Sequence, residues 1–192
     1  KPGVTEKDIQ VELIYWMRKL GSEEFPFEPF VLSGQRAVQP HGKPVNKKLK
    51  QGESVIIDFG AKVQGYSSDI TRTIILGEPS KRQKEISIAL KKACDAASIM
   101  LKPGVKCSNI DLVVRYYLKK YGFDKYFLHS TGHGLGLKVH ESPSISSKSK
   151  DTLKEGMVVT IEPGIYIEAV GGIRNEDMFL ITATGAKKLT SL

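Results

Sequence analysis

The sequence is poor in cysteine, in long apolar runs and in clustered charge of one sign. Its two cysteines, Cys94 and Cys107, are too few for a disulfide framework and show no metal-type spacing. They read as buried or half-buried small apolar residues of a protein from a reducing compartment. No apolar stretch approaches the roughly 20 residues of a membrane-spanning helix, and the first residues do not read as a charged-then-apolar leader. A cytoplasmic protein with no membrane partner is expected. The net charge is +8, yet the lysines are scattered as Lys47-Lys48, Lys91-Lys92, Lys119-Lys120 and Lys187-Lys188. Without a basic stripe interleaved with aromatics, nucleic acid is not the expected partner. With 192 residues, 40% of them hydrophobic and 26% charged, the chain can bury one sizeable core, and residues 1–192 read as one domain.

What the chain does have is five residues of metal-binding types in three settings: Asp58, Asp69, His133, Glu162 and Glu176. Ser54–Gly60 and Tyr66–Ile75 read as the arms of a hairpin. With Val63-Gln64 as its turn, Asp58 falls directly opposite Asp69. Met157–Ile167 and Ile173–Ile181 form a second hairpin around Ala169-Val-Gly-Gly172, in which Glu162 faces Glu176. Like charges opposed across a ladder destabilise it, so two such pairs call for something positive between them. Four carboxylates and one imidazole suit two divalent cations such as Mn²⁺, Co²⁺, Fe²⁺ or Zn²⁺. Two metals about 3.5 to 4 Å apart can hold a bridging hydroxide, which implies hydrolysis.

An internal repeat frames these hairpins. Lys1-Pro-Gly-Val4 recurs as Lys102-Pro-Gly-Val105, and Ile9, Met17 and Gly21 match Ile110, Leu118 and Gly122. Each copy predicts a helix opened by a capping box, Thr5-x-x-Asp8 and Ser108-x-x-Asp111, and closed by glycine. Each helix leads to one hairpin with one carboxylate pair, so the halves should be related by a pseudo-two-fold axis. A further helix, capped by Ser80 with Gln83 and carrying Ile86, Leu90, Ala93, Ala97 and Met100, precedes the second copy. Symmetry then expects a matching helix before Lys1. Its absence, with that of an initiator methionine, reads as a truncation that should leave an apolar groove on the first helix.

The segment Leu128–Leu137 holds His129 and His133, but glycines at 132, 134 and 136 argue for tightly turned extended backbone rather than a helix. All four histidines, His41, His129, His133 and His140, lie in distinctive contexts and read as an active-site set.

These motifs resemble the methionine aminopeptidase, prolidase and aminopeptidase P group. They are Pro40-His-Gly42, Ile57-Asp-Phe-Gly60, Ser68-Asp-Ile-Thr-Arg-Thr73, Thr131-Gly-His-Gly134, Val139-His-Glu141, Thr160-Ile-Glu-Pro-Gly164 and Gly171-Gly-Ile-Arg-Asn-Glu-Asp177. The resemblance spans the whole chain. It implies an α+β, duplicated "pita-bread" fold, a curved antiparallel sheet covered by helices. It also implies that Asp58 binds one metal, Asp69 and Glu176 bridge two, and His133 with Glu162 complete the second, Mn²⁺ or Co²⁺ foremost. Glu162 is also expected to act as proton shuttle, since a carboxylate at the metal lies within reach of both nucleophile and leaving nitrogen. The resemblance further implies that His41 and His140 line the substrate site as catalytic groups, with His140 near the scissile carbonyl, that His129 is a further site histidine, and that Arg174 orients carboxylates beside the substrate.

Val-His-Glu with Gly-Gly-Ile-Arg-x-Glu-Asp resembles the Xaa-Pro peptidase branch, which implies cleavage of short peptides before a second-position proline and allows a homodimer. Asn175 and Ser130 depart from the family's usual apolar residue and glycine. A catalytically silent peptide- or histone-binding module, a creatine-hydrolysing enzyme and a methionine aminopeptidase are the alternatives. An intact ligand set disfavours the first two.

Overall fold

The computed structural model describes residues 1–39 and 42–190. In chain order, helix α1 (Glu6–Lys19) leads to β1 (Phe30–Ser33), β2 (Ser54–Phe59), the short β3 (Lys62–Val63) and β4 (Tyr66–Ser67), and β5 (Ile70–Ile75). Helices α2 (Lys81–Met100) and α3 (Cys107–Lys120) follow, then β6 (Gly132–Gly134), β7 (Glu141–Ile145), β8 (Val158–Ile161) and β9 (Gly164–Ile167). The chain closes with β10 (Gly171–Arg174), β11 (Asp177–Ile181) and β12 (Ala186–Lys188).

All strand pairs are antiparallel: β1-β2-β5 in the first half, β12-β11-β8-β6-β7 in the second, and the ribbons β3-β4 and β9-β10. Helices α2 and α3 lie against the second sheet. There Ile86, Leu90, Ala93 and Ala97 of α2 meet Ile110, Val114 and Leu118 of α3 in the main core, with Met100 packed half-buried against it. Both cysteines are free, Cys107 buried in that core and Cys94 half-buried beside it. Among the described residues no helix is long and apolar enough to cross a membrane.

The duplication is written into the backbone bonds. Gly3 N–H donates to the Leu49 carbonyl and Gly104 N–H to that of Leu153. Leu49 returns a bond to Val4, as Leu153 does to Val105. Glycines Gly21 and Gly122 follow the two helices with φ of 103° and 75°, a left-handed conformation that glycine adopts without a Cβ penalty.

Helix capping follows the sequence twice and departs from it once. Thr5 with Asp8, and Ser80 with Gln83, make complete capping boxes. The predicted box at Ser108 does not form, because α3 begins two residues earlier, with Lys106 as its cap and no side-chain bond. Asp111 is instead fully buried and paired with Arg115. Lys106 is the repeat partner of Thr5, so the duplication preserved the cap position but not the cap chemistry.

The first hairpin also differs from expectation. Its turn is Gln64-Gly65, with φ of 50° and 80°, not Val63-Gln64. Left-handed φ at both turn residues is what a two-residue hairpin needs, and Gly65 supplies it at the second. The register therefore moves by two residues, and Asp58 lies opposite Thr71 rather than Asp69. A two-residue shift keeps side chains on the same face. Asp69 itself sits at the break between β4 and β5.

The second hairpin keeps its expected register, with Arg174 opposite Gly164 and Asp177 opposite Ile161. Both arms break where Glu162 and Glu176 lie, between β8 and β9 and between β10 and β11.

On α1 the exposed face carries Val11, Tyr15 and Leu20, matched on α3 by the exposed Leu112, Tyr116 and Tyr121. The neighbouring face differs. Ile9 and Leu13 of α1 are half-buried where Ile110 and Val114, beneath α2, are fully buried.

Candidate metal centre

The breaks in the two hairpins, and the glycine-flanked strand β6, converge on one cavity of about 470 Å³. Asp58, Asp69, His133, Glu162, Glu176, His129, His140 and Arg174 line it. Phe27, Glu28, Pro29, Phe30, Lys43 and Pro44 of the first half also contribute to its wall. His41 lies outside the described residues.

Close packing places His133 there. A Cβ on Gly132 would come 2.0 Å from the Thr160 carbonyl oxygen, and one on Gly134 would come 2.4 Å from that of Ser142. Only glycine lets β6 approach its neighbours this closely. His133 Nδ1 lies 3.1 Å from the Gly134 carbonyl. A carbonyl only accepts, so Nδ1 carries a proton, and Nε2 is the ring atom turned toward the carboxylates. That Nε2 is 3.3 Å from Glu162 Oε1 and 3.7 Å from Asp69 Oδ2. Asp69, His133 and Glu176 each bring a ligand atom within 4.8 Å of the others.

The remaining oxygens are held from behind. Thr71, opposite Asp58 in the ladder, donates its hydroxyl to Glu176 Oε2 at 2.8 Å. Thr160 donates to Glu162 Oε1 at 3.2 Å. Arg174, buried at 4% exposure, donates to Asp58 Oδ2, to Thr71 Oγ1 at 3.1 Å and to the Tyr166 hydroxyl at 2.9 Å. Tyr166 lies 2.8 Å from His129 Nε2, and His129 Nδ1 lies 2.8 Å from the Ser130 carbonyl. Because that carbonyl takes the Nδ1 proton, Tyr166 donates to Nε2, giving a directed chain from Arg174 through Tyr166 to His129. The rings of His140 and His133 stand edge to face, 4.3 Å apart. Asn175, at the departure from the family pattern, accepts the Thr73 N–H at 3.2 Å and so ties the two halves together.

The electrostatics show strain that a cation would relieve. Burial pushes the Asp69 carboxyl up to about 8, helped by the charges of Asp58 and Glu162. Glu176 is raised well above the usual carboxylate range by burial and by Glu162, Asp69 and Asp58. Asp58 is raised by burial against the pull of Arg174. Burial acts on Glu162 the same way, but the bond and charge of His133, with His129 and Arg174, outweigh it and hold Glu162 low. Burial opposes a charged His133, and Glu162 overrides it and raises the imidazole.

Asp58 Oδ1 and Glu176 Oε1 are buried without a hydrogen-bond partner among the described residues. Buried carboxylate oxygens are costly unless paired or bound to a cation. Two such oxygens beside Asp69, Glu162 and Nε2 of His133, a donor once a metal displaces its proton, fit divalent metal in both charge and donor type.

Thr71, Tyr166 and Thr160 were not legible as site residues in the sequence. For Thr71 a signal existed, since Ser68-Asp-Ile-Thr-Arg-Thr73 alternates and places Thr71 on the face of Asp69. Tyr166 lies in an apolar strand run, Gly164–Ile167, with nothing local to mark its hydroxyl.

The comparisons with known proteins agree with this geometry. Residues 1–183 match the metallopeptidase family M24. The Xaa-Pro dipeptidase of Pyrococcus furiosus is 45% identical over 188 residues, which is 98% of this chain and 54% of that protein. Among solved structures, the prolidase from Pyrococcus furiosus superposes with a TM-score of 0.97 at 44% identity, covering 100% of this chain and 57% of that one. The X-Pro aminopeptidase from Thermotoga maritima gives 0.96 at 42% identity, covering 100% and 55%. The fold is thus the duplicated, antiparallel architecture of these peptidases, and the chain spans about half the length of the curated relatives it matches. On both its sequence and its fold, this chain belongs to the metallopeptidase family M24.

Proposed function

We propose that residues 1–192 act as the catalytic domain of a metal-dependent exopeptidase that hydrolyses the peptide bond before a proline in second position. The observation that carries this reading is the convergence of five ligand-type side chains from both halves on one cavity, two of their oxygens buried without hydrogen-bond partners among the described residues. Two divalent cations, Mn²⁺ or Co²⁺ foremost and Zn²⁺ or Fe²⁺ also suited, would be held by Asp58, Asp69, His133, Glu162 and Glu176 and would supply an acidified water and a polarised carbonyl.

The chain's own groups do the rest. Phe27, Pro29, Phe30 and Pro44 give the cavity an apolar wall that suits a proline ring. Glu162 is ionised and sits 3.3 Å from His133 Nε2, so it can accept the proton of the attacking water and return it to the departing proline nitrogen. His140, ring to ring with His133, is placed to donate to the carbonyl oxygen as it gains charge. His129 and Arg174, linked through Tyr166, shape the side of the cavity against Asp58. The role of His41 beside the substrate rests on the family resemblance.

The substrate class follows the names of the similar proteins, Xaa-Pro dipeptidase and X-Pro aminopeptidase. The test is hydrolysis of Ala-Pro, Ala-Pro-Xaa and Met-Ala-Ser by metal-stripped protein before and after Mn²⁺ is added. Metal-dependent release of alanine from the proline peptides is the expected result. Cleavage of Met-Ala-Ser alone would make the chain a methionine aminopeptidase, and metal binding without any cleavage would favour a silent peptide-binding module.

A further inference from the structure

Two of the ligand-type side chains of the second half, His133 on β6 and Glu162 at the break after β8, share one buried support outside the cavity. Asp111 of α3 is fully buried. Its Oδ1 accepts from the Thr131 hydroxyl at 2.8 Å and its Oδ2 from Arg115 Nε at 2.7 Å. Arg115 Nη2 in turn donates to the His129 carbonyl at 2.9 Å. Thr131 stands two residues before His133, and its carbonyl accepts the Glu162 N–H at 2.8 Å. One carboxylate thus fixes the backbone from His129 to Thr131, and through Thr131 the backbone of Glu162.

The duplication supplies an internal comparison. Gln10 occupies the corresponding position on α1, is likewise buried, and donates Nε2 to the Pro29 carbonyl at 2.7 Å. Both helices use this position to hold the segment that enters the cavity wall. In the first half a neutral amide suffices, donating also to Glu28 Oε1 at 3.2 Å, and that segment carries none of the five side chains read as metal ligands. In the second half the position holds a charge that is costly to bury unless well paired. There the segment leads directly into His133.

We propose that Asp111 is a positioning residue for His133 and Glu162, acting through Thr131 and Arg115 to set the geometry in which those two side chains bind a divalent metal. The proposal rests on the reading of this site as a metal centre. Asp111 does not line the cavity, and its effect would travel through hydrogen bonds that orient the ligands.

The test compares the wild-type chain with Asp111→Asn, Thr131→Val and, as a control, Asp95→Asn, an exposed residue of α2 paired with Lys91. Each is stripped of metal and titrated with Co²⁺ alone, reading affinity and stoichiometry from visible absorption, with melting temperature recorded in parallel. The amide introduced by Asp111→Asn keeps the size and one acceptor but cannot accept from both Thr131 and Arg115. In that variant the weakest-bound Co²⁺ is expected to bind about 10- to 100-fold less tightly, with an altered absorption envelope at saturation. Thr131→Val, which removes one donor only, should move affinity the same way by about tenfold or less, and Asp95→Asn should match the wild type. Unchanged Co²⁺ affinity and absorption in both variants, whatever their melting temperatures, would overturn the proposal. Should Asp111→Asn not fold, Thr131→Val decides by the same two readings. If the wild-type chain itself binds no Co²⁺, the metal-centre reading fails and the proposal fails with it.

Discussion

Arg174, at the end of one hairpin strand, donates a guanidinium N–H to Oδ2 of Asp58 in the other half of the molecule, and both side chains are buried. The same guanidinium reaches Thr71 and Tyr166. A planar fork with several fixed donors can serve three acceptors at once, which a lysine ammonium on a flexible stem does not reproduce. Arg174→Lys is therefore expected to weaken Co²⁺ binding by at least about tenfold, as removal of a hydrogen bond behind a metal ligand does. Tyr166→Phe, which removes one hydroxyl, should cost about 1 to 2 kcal/mol of stability and leave the metal count unchanged. Calorimetric titration of the two variants separates these outcomes.

Stability of the metal-free protein should fall as pH rises. Asp69 is pushed up to about 8 in the folded chain, whereas an unfolded aspartate titrates near 3.9. The folded state therefore holds a proton that the unfolded state has lost. This group's contribution is full below about pH 4 and disappears as pH rises through about 8. Glu176, Asp58 and His133 are shifted upward as well and act in the same sense, while the depressed Glu162 acts in the opposite one. Melting temperatures of metal-stripped protein from pH 5 to 8 should decline, and Asp69→Asn should flatten the decline. A rise in melting temperature across that range would contradict the assignment.

Metal binding should release protons for the same reason. Calorimetric titration with Mn²⁺ at pH 7 in buffers of different ionisation enthalpy is expected to show net proton release, reduced in Asp69→Asn. Equal heats in all buffers would show that the carboxylates are already ionised.

The glycines beside His133 allow a simple packing test. Gly132→Ala would set a Cβ 2.0 Å from a backbone oxygen, whereas Gly185 has nothing within 4 Å of its Cβ position. The first change should cost about 1 to 3 kcal/mol and the corresponding Gly185→Ala less than about 0.5 kcal/mol. Urea unfolding of both variants measures the difference.

Much of this architecture is legible in the sequence because it is repeated and periodic. The helix after Lys1-Pro-Gly-Val4 and its copy after Lys102-Pro-Gly-Val105 appear where expected, and the second hairpin keeps its register. The first hairpin slipped by two residues because its turn is selected by backbone torsion. Gly65 as the second turn residue was the signal that would have found it. The false capping box at Ser108 has a similar origin, since a Ser-x-x-Asp spacing does not reveal whether the aspartate faces solvent or core.

The site shows the same division. Acid and imidazole residues announce themselves by type, and the cavity brings Asp58, Asp69, His133, Glu162, Glu176, His129, His140 and Arg174 together. The groups behind them, Thr71, Tyr166, Thr160 and Asp111, are ordinary residues in strands and helices. Only tertiary contact gives them partners, some more than a hundred residues away, as Thr71 has in Glu176.

The most direct measurement is the number of divalent ions bound per chain. Metal-stripped protein, equilibrated with Mn²⁺ and freed of excess, should hold two ions per chain, falling to one or fewer in His133→Ala and Asp58→Asn. A wild-type chain that binds none, or binds equally well without these side chains, would contradict the metal centre on which the proposed hydrolysis depends.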